Sequence, residues 1–197
     1  MIYLASQSPR RRQLLEQLGV SYELLLPGDD EDAEGMEAVL PGEAPLSYVK
    51  RVTNLKLQAA LKRRKDRGLK PALVLCSDTT VALGRQILGK PADAKDAARM
   101  LSALSGQTHR VLTAVSLGTD KKQVQVVSVS KVTFAQMTPA QIKVYVTSGE
   151  PMGKAGAYAV QGRAAAFIAH ISGSYSGIMG LPVFETAQLL REFAYKF

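Results

Sequence analysis

The chain contains no tryptophan, a single cysteine, two histidines and no long apolar run, and each scarcity narrows what it can do. A lone Cys76 excludes an internal disulfide. With only His109 and His170 beside it there is no Cys/His metal cluster, so any metal must be a hard cation held by oxygen. Cys76 ends the apolar run 72–76, where a buried, inert thiol is expected rather than a nucleophile. No stretch approaches the roughly 20 apolar residues of a membrane span, and the first residues lack the pattern of a signal peptide. These features predict a cytoplasmic protein. Its 197 residues, 46% hydrophobic, suffice for one well-buried core or two lobes sharing a cleft.

The net charge of +8 invites a nucleic-acid reading, but it is unevenly spread. Lys62, Arg63, Arg64, Lys65, Arg67 and Lys70 are opposed within their segment by Asp66 alone. Positive charge suits a helix C-terminus closed by Gly68, so a solvated helix end is expected. The alternative is a regulatory protein that senses a nucleotide or docks nucleic acid through Lys62 to Lys70. That segment has no Phe, Tyr or Trp to stack on bases. The acidic counterpart, 29–43, reads as a long mobile loop.

Patterning interleaves helices and strands without repeats. Strands are expected at 2–5, 22–26, 72–83, 86–88, 110–117, 123–134 and 166–171. Helices are expected from Pro9 to Leu18, about Pro45 to Arg67, Asp93 to Leu104, Thr138 to Ser148, and after Pro182. This is an α/β chain, and the 110–134 hairpin requires antiparallel pairs, hence a mixed sheet.

The densest signal is Ser6-Gln7-Ser8-Pro9-Arg10-Arg11-Arg12 directly after the first strand. Ser8 reads as an N-cap and Pro9 as the first helical residue. Cations there oppose the helix dipole unless an anion such as phosphate satisfies arginines and amides together; a solvated basic helix end is the other reading. Asp78, in an otherwise apolar strand, bears a desolvation cost that a partner or a catalytic task would explain. Capping of a strand-end turn is the plainer account. A short hairpin returns Lys90, in Leu88-Gly89-Lys90-Pro91, toward the same end of the sheet. An Asp with nearby cations suits hydrolysis of a phosphoanhydride. Glu31 is the candidate second metal ligand or base in the acidic run, and Lys56, on a helix with Tyr48 and Arg51, is a candidate phosphate ligand. The small residues from Lys154 to Tyr158 let backbone approach a ligand, and Gln161 carries both a donor and an acceptor for a base edge. His109 and His170 read as structural.

In order, Leu4-Ala5-Ser6-Gln7-Ser8-Pro9-Arg10-Arg11, Ser77-Asp78-Thr79-Thr80-Val81, Gly89-Lys90-Pro91, Leu104-Ser105-Gly106-Gln107-Thr108-His109, the stretch 149–162 and Gly180-Leu181-Pro182 resemble the Maf family of nucleoside triphosphate pyrophosphatases. The resemblance runs along nearly the whole chain. It implies a single domain over 1–197: a two-lobed α/β fold with a curved mixed β-sheet flanked by helices around a central nucleotide-binding cleft, as in inosine triphosphate pyrophosphatases. It implies hydrolysis between the α and β phosphates with a divalent cation, Mg²⁺ or Mn²⁺. Asp78 would then be the general base and a metal ligand, with Lys90 and Glu31 catalytic and Glu31 also at the metal. Ser8, Arg10, Arg11, Lys56 and Lys90 would hold the triphosphate, and Thr79 and Gln161 would select the base. Lys154-Ala155-Gly156-Ala157-Tyr158 followed by Gln161 resembles the branch acting on dTTP and UTP. The implied partners are the nucleotide and, as a reasonable expectation, a second copy in a homodimer, with no membrane and no nucleic acid required. Gly153 stands where many members carry Asp, and Thr53-Asn54 replaces a usually small, apolar pair.

Overall fold

A computed structural model describes residues 1–28, 31 and 35–197. Asp29, Asp30, Asp32, Ala33 and Glu34 of the expected acidic loop lie outside the described residues. The chain runs β1 (Ile2–Leu4), α1 (Pro9–Gln17), β2 (Tyr22–Leu24), α2 (Pro45–Asp66), β3 (Val74–Leu83), β4 (Gln86–Leu88) and α3 (Ala94–Leu104). It continues with β5 (Thr108–Gly118), β6 (Gln123–Phe134), α4 (Pro139–Thr147), β7 (Ile168–Ser172), α5 (Tyr175–Met179) and α6 (Val183–Glu192). Seven strands form one mixed sheet in the order β2-β1-β3-β5-β6-β7, with β4 beside β3. The β1 pairings with β2 and β3 are parallel, and the rest are antiparallel.

Local chemistry sets most boundaries. Asp93 caps α3 by accepting from the Asp96 amide at 2.7 Å. Thr138 and Gln141 close a reciprocal capping box at α4. The long helix α2 lays Val49, Val52, Leu57 and Leu61 against the sheet, each worth about 1.5–3 kcal/mol on burial. Val49 and Val52 share a cluster with Ala82, Leu112 and Ala114, so α2 is fixed over β3 and β5. On the other face α5 and α6 pack on β5 and β6.

Three expectations shift. The last strand begins at Ile168 rather than Ala166, because Arg163–Phe167 forms a 3-10 turn and regular pairing starts only where Ile168 meets Phe134. The short helix α5 is additional; Ser174 caps it by accepting from the Gly177 amide at 3.0 Å. The basic end of α2 is not simply solvated. Arg63 and Arg64 are buried, Arg63 paired with Glu31 and Arg64 with Asp120, because their face of the helix turns inward. Gly68, at φ +61°, ends that helix with its amide on the Lys65 carbonyl.

Candidate active site

β3 runs through the middle of the sheet but shares one of its edges between two short partners. β1 pairs with it at Val74 and Leu75, and β4 pairs at Val81 to Leu83. Between them a cleft of about 650 Å³ opens over residues 77–80, bounded by the start of α1, by α2, by the Gly89-Lys90 turn and by Lys154 to Tyr158.

The Asp78 carboxylate lies in that cleft and is mostly buried. Lys56 reaches down from α2 and donates to Asp78 Oδ1 at 2.6 Å and to Glu37 Oε1 at 2.7 Å. Lys90 donates to Glu37 Oε2 at 2.9 Å. Two carboxylates and two ammonium groups therefore alternate along one wall. Burial disfavours the Lys56 ammonium, but Asp78 and Glu37 outweigh it and hold its pKa above the ordinary value. Burial likewise opposes the Glu37 carboxylate, and Lys56 with Lys90 overcomes it, so that carboxyl sits below its usual range. The Tyr48 hydroxyl donates to the Glu37 carbonyl at 2.8 Å. Burial and the nearby charges of Asp78 and Glu37 push its pKa up to about 12, which keeps it a donor.

On the opposite face of β3, Arg11 donates through Nε to the Gly180 carbonyl at 2.8 Å, through Nη1 to Ser6 Oγ at 3.2 Å and through Nη2 to Thr79 Oγ1 at 3.4 Å. One hydrogen on each Nη has no partner among the described residues. Burial lowers the Arg11 pKa while Asp78 opposes the change. Arg10 lines the same cleft, and its side chain makes no hydrogen bond to another described residue. Ser8 supplies no side-chain cap to α1, leaving its hydroxyl available beside Arg10.

The family model described as Maf-like protein matches residues 1–193. The chain belongs to the Maf family. A relative from Albidiferax ferrireducens, named dTTP/UTP pyrophosphatase, is 72% identical over 195 residues, covering 99% of this chain and 98% of its own. A relative of the same name from a Polaromonas species is 68% identical over 190 residues, covering 96% and 94%. Among solved structures, the Staphylococcus aureus Ham1 protein aligns at a TM-score of 0.41 and 12% identity, over 68% of this chain and 71% of that one.

In this Maf chain Ser8, Arg10, Arg11, Lys56, Asp78, Thr79 and Lys90 all line the cleft. Glu31 does not. Arg63 holds it in a two-point ion pair, at 2.6 Å from Nε and 2.5 Å from Nη2, and that pairing lowers its pKa. Glu37 stands at the cleft instead, on a 3-10 turn at Gly35–Glu37. The sequence offered several acidic residues in one run, and only the tertiary contacts with Lys56 and Lys90 separate Glu37 from the others. Gln161 is exposed and lies outside the cleft lining in this structure, whereas Tyr158 and Val160 line it. Lys154 donates to the Glu150 carbonyl and so ties its own loop. Cys76 is buried, with burial raising its thiol to about 12. His109 is buried against Tyr158, its Nε2 2.7 Å from the Tyr158 hydroxyl, and His170 is exposed on the edge strand β7. Among the described residues no helix is long and apolar enough to cross a membrane.

Proposed function

We propose that this protein is a nucleoside triphosphate pyrophosphatase that hydrolyses the α–β phosphoanhydride of dTTP and UTP to the monophosphate and pyrophosphate. One observation carries the reading: a carboxylate, Asp78, lies in a cleft between the Lys56 ammonium and the Arg11 end of α1, in a chain 72% identical to a protein named dTTP/UTP pyrophosphatase.

Asp78 takes a proton from water as the water oxygen bonds to the α phosphorus. The bond from that phosphorus to the bridging oxygen breaks, and pyrophosphate leaves with the bond's electrons. Lys56 holds Asp78 in place through the 2.6 Å contact to Oδ1. The spare Arg11 donors, Arg10, the Ser8 hydroxyl and Lys90 bind phosphate oxygens, and their charge opposes the negative charge that builds on the leaving group. The apolar wall of Val81, Val111, Tyr158, Ile178 and Met179 receives the base.

Asp78 and Glu37 are hard oxygen donors, and no group of three or more His, Cys, Asp or Glu able to hold a metal occurs among the described residues. That donor set fits Mg²⁺ or Mn²⁺ held by one or two carboxylates together with substrate phosphates. When bound, the cation neutralises phosphate charge. Glu37 replaces Glu31 as the second carboxylate in this reading. The setting is the cytoplasmic nucleotide pool, and the working unit is a homodimer.

The test is pyrophosphate release from a panel of nucleoside triphosphates with Mg²⁺ or Mn²⁺, wild type beside Asp78→Asn. Turnover of dTTP and UTP that vanishes in the variant is the expected result. Turnover confined to purine nucleotides, or none at all by folded protein, overturns the reading.

A further inference from the structure

We propose that the uncovered edge of β3 reads the base through the main chain, with the Ser77 N–H, the Ser77 C=O and the Thr79 N–H presenting donor, acceptor and donor to the imide edge of uracil or thymine. The proposal rests on dTTP and UTP being the substrates.

The direction of these groups follows from the ladder. Tyr3 N–H donates to the Leu73 carbonyl at 2.7 Å and Ala5 N–H to the Leu75 carbonyl at 2.9 Å. Odd-numbered residues of β3 therefore turn both main-chain groups toward β1, and even-numbered residues turn theirs toward β5. Pairing with β5 runs from Val74 to Ala82 without a register shift, so this parity holds along the strand. Partners on the β1 side end at Leu75 and resume at Val81, where β4 begins. Ser77 and Thr79 fall in the gap, and both line the cleft. By this alternation neither residue uses its N–H or C=O in the β5 ladder, and neither makes a main-chain hydrogen bond to a described residue outside the strands. Ser77 is only 1% exposed, and main-chain groups at such depth are nearly always partnered.

The side chains at these positions are already committed. The Ser77 hydroxyl has one proton, and the carbonyls of Ala114 and Gly180 both lie 2.9 Å from it. The Thr113 hydroxyl donates to the Gly177 carbonyl at 2.7 Å. The Thr79 hydroxyl lies 3.0 Å from that of Thr113 and accepts from Arg11 Nη2 at 3.4 Å. The Ser77 and Thr79 hydroxyls thus have partners within the protein, whereas the main-chain groups on this edge have none among the described residues. Triphosphate oxygens are acceptors alone and are repelled by the Ser77 carbonyl. An imide alternates acceptor, N3–H donor and acceptor, which complements the edge. In the same pose cytosine brings an N3 lone pair against that carbonyl.

The test compares dTTP with N3-methyl-dTTP and with 5-bromo-dUTP, and replaces the Thr79 amide by an ester through incorporation of the α-hydroxy analogue of threonine. The expected result is a fall in kcat/KM of at least about 100-fold for N3-methyl-dTTP, with 5-bromo-dUTP within about threefold of dTTP. The ester at 79 raises KM for dTTP about tenfold and leaves Tm unchanged, because its lost N–H had no partner in the protein. An ester at 80, whose N–H belongs to the β5 ladder, lowers Tm. Equal turnover of dTTP and N3-methyl-dTTP, or an unchanged KM in the ester at 79, overturns the proposal. A wild-type protein inactive on dTTP removes the substrate reading itself, which the dTTP control reports separately.

Discussion

The Lys56 ammonium stands 2.6 Å from Asp78 Oδ1, so the carboxylate of a central strand and a cation from the helix above it balance each other at the floor of the cleft. The pair explains how β3 keeps an acid among apolar neighbours.

Asp78→Asn removes the base but keeps the shape and a hydrogen-bond acceptor for Lys56. Pyrophosphate release should fall by about 10²- to 10⁴-fold in kcat, with KM for dTTP changed far less. A variant that retains more than a tenth of wild-type kcat would remove Asp78 from the proton transfer.

In the proposed function Glu37 belongs to the site and Glu31 to the scaffold. Glu37→Gln takes one charge from the wall that holds Lys56 and Lys90, and turnover should fall at least about tenfold at saturating metal, with a higher metal requirement. Glu31→Gln leaves the buried Arg63 without its carboxylate, so its effect should be on stability, about 1–3 kcal/mol in urea titration, with kcat kept within about twofold. The reverse pattern would restore Glu31 to the site.

Much of this arrangement is legible in the sequence. The 110–134 hairpin required antiparallel pairing, and β5 and β6 supply it. Asp78 stood out because a charged residue in an apolar strand needs a partner, and the partner is Lys56. Such local signals come from residue type and spacing. Glu37 was hidden among similar acids because its role depends on Lys56 and Lys90, 19 and 53 residues away. Arg63 and Arg64 misled for the same reason. A basic helix end reads as solvated until the chain folds Glu31 and Asp120 against it.

His109 should make stability sensitive to mild acid. Burial lowers its pKa to about 4 from an ordinary 6.5, and its Nδ1 has no partner. The unfolded chain thus takes up a proton between these values while the folded chain does not, and stability falls as pH drops from about 6.5 to about 4. From pH 7 to pH 5 the loss from this group is about 2 kcal/mol. Urea midpoints at the two pH values, wild type beside His109→Gln, measure it. The variant is less stable at pH 7 but should show a smaller decline, and an equal decline would assign the effect elsewhere.

Gly156→Ala tests how tightly the loop facing β3 is held. Gly156 has φ +68°, a left-handed conformation that costs an alanine about 1–2 kcal/mol. An added Cβ would also lie 2.8 Å from Cγ1 of Val81, a β-branched side chain on a paired stretch of β3 with little room to turn. The Gly156 amide donates to the Gly89 carbonyl at 3.0 Å, directly before Lys90. Relief of the clash therefore pulls on the turn that carries a cleft lysine. The expected result is a Tm lower by about 5–10 °C and a raised KM for dTTP. Val81→Ala made in the same chain removes the collision but not the backbone strain. In that background the cost of Gly156→Ala should shrink by about 1 kcal/mol without vanishing, a coupling that only direct contact between the two residues produces.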